Sequence, residues 1–162
     1  MKVIDNYLPT EEFIRMQSLL LGDQFPWCFN PHQVGKSSTE TSDFFFSHTF
    51  FKDAQIHSMF YMDYILPFVK RMDIHALFGV RANLLVNTNF PVESLMHNDQ
   101  LVGETAIFYI NTNNGFTRFE DGYFVDSIEN RLVVFDSTQK HQAVSQTDSA
   151  RRVVINFNYI PK

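Results

Sequence analysis

The chain has one cysteine, Cys28, in 162 residues, so no disulfide can close within it. That fits a reducing compartment, and a cytoplasmic protein is the expectation. Glycine and proline are scarce, six of each, which excludes long flexible linkers and collagen-like tracts. No apolar run is long enough to span a bilayer, so no membrane segment is expected. The opening Met1-Lys2-Val3-Ile4-Asp5-Asn6 lacks the apolar core of a signal peptide. Basic residues are outnumbered 13 to 18, for a net charge of −5. Apart from Arg151-Arg152 they are scattered, whereas a chain that grips phosphates carries a basic face. Non-specific nucleic-acid binding is therefore not expected. Internal repeats and composition shifts are missing too, so a single domain over residues 1–162 is expected.

Phenylalanine is abundant: eighteen residues, in a chain that is 44% apolar, enough to fill one core. After a short strand at residues 2–5, Leu8-Pro9-Thr10-Glu11-Glu12 reads as a helix start. Thr10 is positioned to cap it, and the glutamates suit its positive end. Phe13, Met16, Gln17 and Leu20 share a face, and the helix should end near Gly22. Residues 25–42 read as irregular, residues 43–51 as a strand of nearly continuous aromatics buried on both faces, and residues 54–72 as a second helix, with Pro67 able to kink it.

From Gly79 onward the period switches to two. Strands are expected at residues 80–87, 104–110, 116–120, 123–127, 131–136 and 151–160. Asn114-Gly115 and Asp121-Gly122 are pairs that favour type I′ hairpin turns. The fold class this implies is mainly β with flanking helices. The form expected from the pattern is an antiparallel barrel or a jelly roll, with the helices packed outside one sheet.

Three places carry chemistry. In an extended segment, His97 and Asp99 of His97-Asn98-Asp99 point the same way and offer two metal ligands. His141 follows the strand Leu132-Val133-Val134-Phe135 and the polar turn after it. Two histidines and one carboxylate make the facial triad of non-haem Fe(II) sites, which leaves three coordination positions open. Arg151-Arg152 opens the last strand, where a guanidinium at a pocket's base suits bidentate pairing with a carboxylate. Parity puts Arg151 with Val153, Ile155, Phe157 and Tyr159, and Arg152 with Val154, Asn156 and Asn158. The second set is the more polar and favours Arg152 as the pocket residue, with Arg151 kept as the alternative. His32, His48, His57 and His75 have no partner at ligand spacing. Arg81, Asn83 and Asn87 share a strand face, and with Trp27 they are candidate substrate contacts.

The order His-x-Asp, hairpin strands, distal His, then Arg resembles the 2-oxoglutarate and Fe(II)-dependent dioxygenases, and among them the prolyl 4-hydroxylase-like group. The likeness runs over essentially the whole chain. Tyr7-Leu8-Pro9-Thr10-Glu11-Glu12-Phe13 looks like that group's first helix, and Thr105-Ala106-Ile107-Phe108-Tyr109-Ile110-Asn111 like the strand after the iron pair. Gly115-Phe116-Thr117-Arg118-Phe119 resembles its Gly-rich turn and strand, and Arg152-Val153-Val154-Ile155-Asn156-Phe157-Asn158 its cosubstrate strand. Collagen-type members usually carry lysine ten residues after the distal histidine, where this chain has Arg151. The loop at residues 111–115 is also short.

The resemblance implies a double-stranded β-helix (jelly roll, cupin-like) with N-terminal helices packed on one sheet, and a 2-oxoglutarate/Fe(II) dioxygenase domain with Fe(II) held by His97, Asp99 and His141. The cosubstrates would be 2-oxoglutarate and O2, with the far carboxylate of 2-oxoglutarate on Arg152 and Tyr109. It implies hydroxylation of a peptide or protein side chain, proline first. The alternatives are the same chemistry on a nucleobase or small metabolite, and a non-catalytic jelly-roll binding protein.

Overall fold

The computed structural model describes residues 1–31 and 44–162. In chain order the elements are β1 (Lys2–Ile4), α1 (Thr10–Leu20), β2 (Cys28–Asn30), β3 (Phe45–Lys52) and β4 (Gln55–Ile56). A π-helical turn (Tyr61–Ile65) then runs directly into α2 (Leu66–Val69). There follow β5 (Ile74–Val86), β6 (Glu104–Tyr109), β7 (Phe116–Phe119), β8 (Phe124–Asp126), β9 (Leu132–Asp136), β10 (His141–Val144) and β11 (Arg151–Pro161).

The strands form two sheets. The larger runs β1-β9-β6-β11-β5-β3-β2, with β4 on β3, and the smaller runs β10-β7-β8. Every pairing is antiparallel. One face of the larger sheet is covered by the helices. There Phe13, Met16 and Leu20 of α1 and Phe68 of α2 pack on Val80, Ala82, Phe108, Val153, Ile155 and Phe157. Phe68 and Phe157 stack with ring centroids 4.5 Å apart. Each such ring contributes roughly 1.5–3 kcal/mol on burial, which is where the phenylalanine excess goes. The opposite face meets the smaller sheet, through Ile107, Tyr109, Val133, Phe135 and Val154 on one side and Phe119 and Val125 on the other. Of the two forms the alternation allows, this is the jelly roll, the double-stranded β-helix that the resemblance implies, with its helices on one sheet.

Several local expectations are corrected. The cap of α1 is Pro9, with no side-chain cap bond; Thr10 is already helical. The second helix does not begin near residue 54. Asp53 and Ala54 both have positive φ (52° and 58°) and make a tight turn between β3 and β4, so helix starts only at Tyr61. Within residues 25–31, expected to be irregular, Cys28–Asn30 pairs with β3 as an edge strand. The rest of that stretch, His32 included, and Asp43 lie outside the described residues. Asn114-Gly115 is no type I′ turn, since neither residue has positive φ. Asp121-Gly122 does lie in the β7–β8 hairpin, but only Gly122 has positive φ (87°), so that turn is not type I′ either. His141, directly after the polar turn, opens a short strand, β10, that the pattern does not mark. Among the described residues no helix is long and apolar enough to cross a membrane.

Candidate active site

The two sheets enclose a cavity of about 230 Å³. Its walls include Phe45, Arg81, Asn83 and Ile107 of the larger sheet, with Arg152, Val154 and Asn156 of β11, and Thr117, His141 and Ala143 of the smaller sheet. His97 and Asp99 come from the loop between β5 and β6, which also lines it.

Main-chain bonds place the two histidines. His97 N–H donates to His141 O (3.0 Å) and His141 N–H donates to His97 O (2.8 Å), an isolated antiparallel bridge. The flanking loop is stitched down the same way: Ser94 N–H donates to Ala143 O, and Asp99 N–H to Ser137 O. Residues 93–99 thus follow β10 as an extended, bridged loop. His97 and Asp99 end on one side as alternation requires.

The ligand atoms of His97, Asp99 and His141 lie within 4.8 Å of one another. Asp99 Oδ1 is 3.5 Å from His97 Nε2 and 3.8 Å from His141 Nε2. Each imidazole presents Nδ1 to a backbone carbonyl, His97 to Leu95 O (2.9 Å) and His141 to Gln139 O (3.2 Å). A proton on Nδ1 satisfies those carbonyls and leaves the Nε2 lone pairs aimed inward, the tautomer that metal binding needs. The other oxygen, Asp99 Oδ2, accepts from Thr105 Oγ1 (3.1 Å). It also accepts from the Asn158 amide (3.1 Å) in the orientation that satisfies both groups.

The charges are tuned accordingly. The hydrogen bond to Asp99 is the largest influence on His97 and raises it above the usual imidazole value. Burial lowers His141. Burial also pushes Asp99 upward, but the two imidazoles and the Thr105 hydroxyl outweigh it and hold its carboxyl below the usual range. The cluster is therefore a converging carboxylate with two imidazole lone pairs, and its chemistry suits a divalent cation.

Arg152 lines the same cavity and is only 2% exposed. Its Nε donates to Ser127 Oγ (2.6 Å) and its Nη2 to Thr117 Oγ1 (3.2 Å), and the guanidinium lies over the Tyr109 ring (5.6 Å). Among the described residues no carboxylate pairs with it. Burial lowers it from the usual value, yet a guanidinium keeps its charge. An uncompensated buried cation facing a cavity is a receptor for an anion. Tyr109 is fully buried beneath Arg152, outside the cavity wall, and its hydroxyl donates to Thr117 Oγ1 (2.8 Å). Arg151 points the other way, its Nη2 donating to Leu21 O (2.6 Å) behind α1.

Arg81 and Asn83 face the cavity as their strand parity indicates, but Asn87 does not line it. Asn87 instead braces a turn through Thr147 O and Ser149 O. Trp27 packs on Phe25, away from the cavity. His48 is satisfied by Pro26 O and Ser58 Oγ inside an aromatic cluster. Thr105, Thr117 and Ser127 carry no mark in the sequence that separates them from ordinary half-buried strand residues.

A jelly roll with this strand order has the fold of the 2-oxoglutarate and Fe(II) oxygenases, in its prolyl 4-hydroxylase-like form. No family model and no curated protein matches the sequence; solved structures carry the likeness. A Pseudomonas putida prolyl-4-hydroxylase is similar at 10% identity and a TM-score of 0.65, over 99% of this chain and 92% of that one. A Trichoplax adhaerens prolyl hydroxylase, in complex with a peptide fragment of the hypoxia inducible factor oxygen degradation domain, is 15% identical at a TM-score of 0.67, over 99% and 83%. An oxidoreductase of the 2OG-Fe(II) oxygenase family from Burkholderia pseudomallei is 10% identical at a TM-score of 0.69, over 98% and 84%. At these identities what is shared is the fold.

Proposed function

We propose that this chain is a 2-oxoglutarate- and Fe(II)-dependent oxygenase that hydroxylates a peptide or protein side chain, with proline the first candidate. The observation that carries it is one cavity holding both halves of the required receptor. His97, Asp99 and His141 converge there on a common point, and the buried Arg152 lacks a carboxylate among the described residues. Bound Fe(II) supplies the activation of O2, with 2-oxoglutarate oxidised to succinate and carbon dioxide as one oxygen atom enters the substrate.

The remaining work belongs to the chain. His97, Asp99 and His141 would hold the metal, and three protein ligands would leave coordination positions for other groups. Thr105 and Asn158 fix Asp99 so that Oδ1 points at the site. Arg152 takes the far carboxylate of the cosubstrate, with Ser127 and Thr117 locking its guanidinium and Tyr109 holding Thr117. Phe45, Leu85, Ile107 and Val154 give the cavity apolar walls that limit water at the reacting centre. The peptide substrate is supported by the peptide-bound prolyl hydroxylase that shares this fold.

The test is to supply purified protein with Fe(II) and labelled 2-oxoglutarate, and separately with proline-containing peptides, nucleosides and single-stranded oligonucleotides. Succinate formed and a one-oxygen mass gain in the peptide are expected. Oxidation of a nucleobase with none of any peptide would overturn the substrate reading. A protein that binds neither metal nor 2-oxoglutarate would overturn the oxygenase reading itself.

A further inference from the structure

Among the described residues Arg81 is, with Arg152, the second arginine lining the cavity. In the register of β5 with β11 it pairs with Asn156, whereas Leu85 pairs with Arg152. Four residues along a strand amount to about 13 Å, more than separates the two ends of a five-carbon diacid. The backbones of the two arginines therefore stand well apart along the cavity wall. Arg152 stands at the buried end, while Arg81 is exposed at the end where Asn158 reaches Asp99.

Arg81 lacks the acidic partner that three other arginines have. Arg71, Arg118 and Arg131 pair with Glu12, Glu93 and Asp5. Among the described residues Arg81 makes no salt bridge and no side-chain hydrogen bond. Its guanidinium lies over the Phe45 ring, 5.8 Å from the centroid, which holds it at the cavity wall. Asp99 is near enough to be felt by Arg81, yet it is already engaged. Its Oδ2 is taken by Thr105 and Asn158, and its Oδ1 faces the imidazoles.

The charges of the filled site then leave a remainder. Asp99 offsets one charge of a divalent metal. The 2-oxoglutarate dianion offsets the other, together with that of Arg152. Arg81 keeps a full positive charge at the exposed end of the cavity, beside the Phe45 ring. A planar guanidinium held on an aromatic ring matches a carboxylate through two parallel hydrogen bonds.

We infer that Arg81 selects a substrate carrying a carboxylate beside the carbon that is oxidised. This rests on the oxygenase reading and narrows its substrate. The carboxylate can belong to an acidic residue next to the target in a peptide or to a free amino acid, and the chemistry at Arg81 is the same.

The experiment measures binding to the protein loaded with Mn(II) and 2-oxoglutarate, and turnover with Fe(II). The probes are a blocked proline peptide with glutamate beside the proline, the same peptide with glutamine, and free proline. The glutamate peptide or free proline should bind at least tenfold more tightly than the glutamine peptide. Arg81→Gln should abolish that preference while leaving the affinity for 2-oxoglutarate within about twofold. Arg81→Glu should bind a lysine-flanked peptide better than the glutamate one. Tighter binding of free proline than of either peptide supports the inference and assigns the carboxylate to a free amino acid.

Equal binding of all three probes, or none of them by protein that does take up Mn(II) and 2-oxoglutarate, overturns the inference alone. A steep loss of 2-oxoglutarate affinity in Arg81→Gln overturns it by assigning Arg81 to the cosubstrate. Failure to bind Mn(II) and 2-oxoglutarate at all brings down the oxygenase reading, and this inference with it.

Discussion

Replacing Arg152 with Met should separate the stability of this protein from its ability to hold 2-oxoglutarate. The side chain is 2% exposed and makes its two hydrogen bonds to the hydroxyls of Ser127 and Thr117. Without ligand it is a buried charge with no carboxylate among the described residues. Removing it relieves desolvation, and methionine refills most of the volume. Thr117 keeps Tyr109 as a partner, so the hydroxyl left alone is that of Ser127, at about 1–3 kcal/mol. These effects oppose, and the melting temperature of the metal-free protein should move by only a few degrees. With 2-oxoglutarate the balance is one-sided. A carboxylate desolvated in the cavity and left unpaired costs about 3–5 kcal/mol, or roughly 10²–10⁴ in affinity.

Calorimetric titration of 2-oxoglutarate into Mn(II)-loaded protein reads the second quantity, and thermal unfolding reads the first. Saturating 2-oxoglutarate at 100 times Kd should stabilise the native chain by about 2.7 kcal/mol, and the variant by almost nothing at that concentration. Arg151→Met loses only the bond to Leu21 O behind α1 and should bind 2-oxoglutarate normally. If Arg151→Met loses the affinity and Arg152→Met keeps it within threefold, the reasoning is wrong at its base.

Substituting His97, Asp99 or His141 by Ala should remove most Fe(II) or Mn(II) affinity while far-ultraviolet circular dichroism stays native; full affinity in His141→Ala would refute the triad. Thr105→Val deletes the hydroxyl that donates to Asp99 Oδ2 and should cost about 10–100-fold in metal affinity, read by Mn(II) titration. Metal affinity should be level at alkaline pH and decline on acidification. The proton must leave His97, whose pKa is raised by its hydrogen bond to Asp99, so the fall begins above the ordinary imidazole value, at up to about tenfold per pH unit. In the metal-free protein the sign reverses, since protonated His97 favours the fold below its unfolded pKa and that contribution is lost as pH rises through the raised value. Gly115→Ala would put a Cβ 2.8 Å from Arg152 Cδ and 2.9 Å from Val144 O. It should cost about 1–3 kcal/mol of stability by overpacking and also weaken 2-oxoglutarate binding, and a variant that changes neither would refute the close approach.

The strands that read most clearly in the sequence are those with one face strictly buried. β6, β9 and β11 fall within a residue of their expected limits because Ala106 and Phe108, or Val153, Ile155 and Phe157, cannot be shifted without exposing the core. β10 was not legible. It is four residues long, and the partner of His141 is His97, 44 positions earlier, in a loop with no strand pattern. The second helix was overextended because Phe60, Tyr64 and Phe68 keep helical spacing, while the turn at Asp53-Ala54 depends on a left-handed conformation that those residue types do not announce. At the site, imidazole, carboxylate and guanidinium stand out because few other tasks need them in that order. The hydroxyls of Thr105, Thr117 and Ser127 do not, since threonine and serine are common in half-buried strands.

On β5 the even positions Val80, Ala82 and Leu84 lie against the helices, and the odd positions Arg81, Asn83 and Leu85 line the cavity. On β11 the parity is opposite, with Val153, Ile155 and Phe157 inside and Arg152, Val154 and Asn156 lining the cavity. Architecture and selectivity are therefore written in interleaved alphabets on the same two ribbons. Point changes at the cavity-side letters can retune what is accepted without touching the helices, so a descendant could adopt a new substrate one substitution at a time. Insertion or deletion of a single residue would exchange the alphabets and destroy both. Divergence of this chain should accordingly be rich in replacements along β5 and β11 and empty of length changes there.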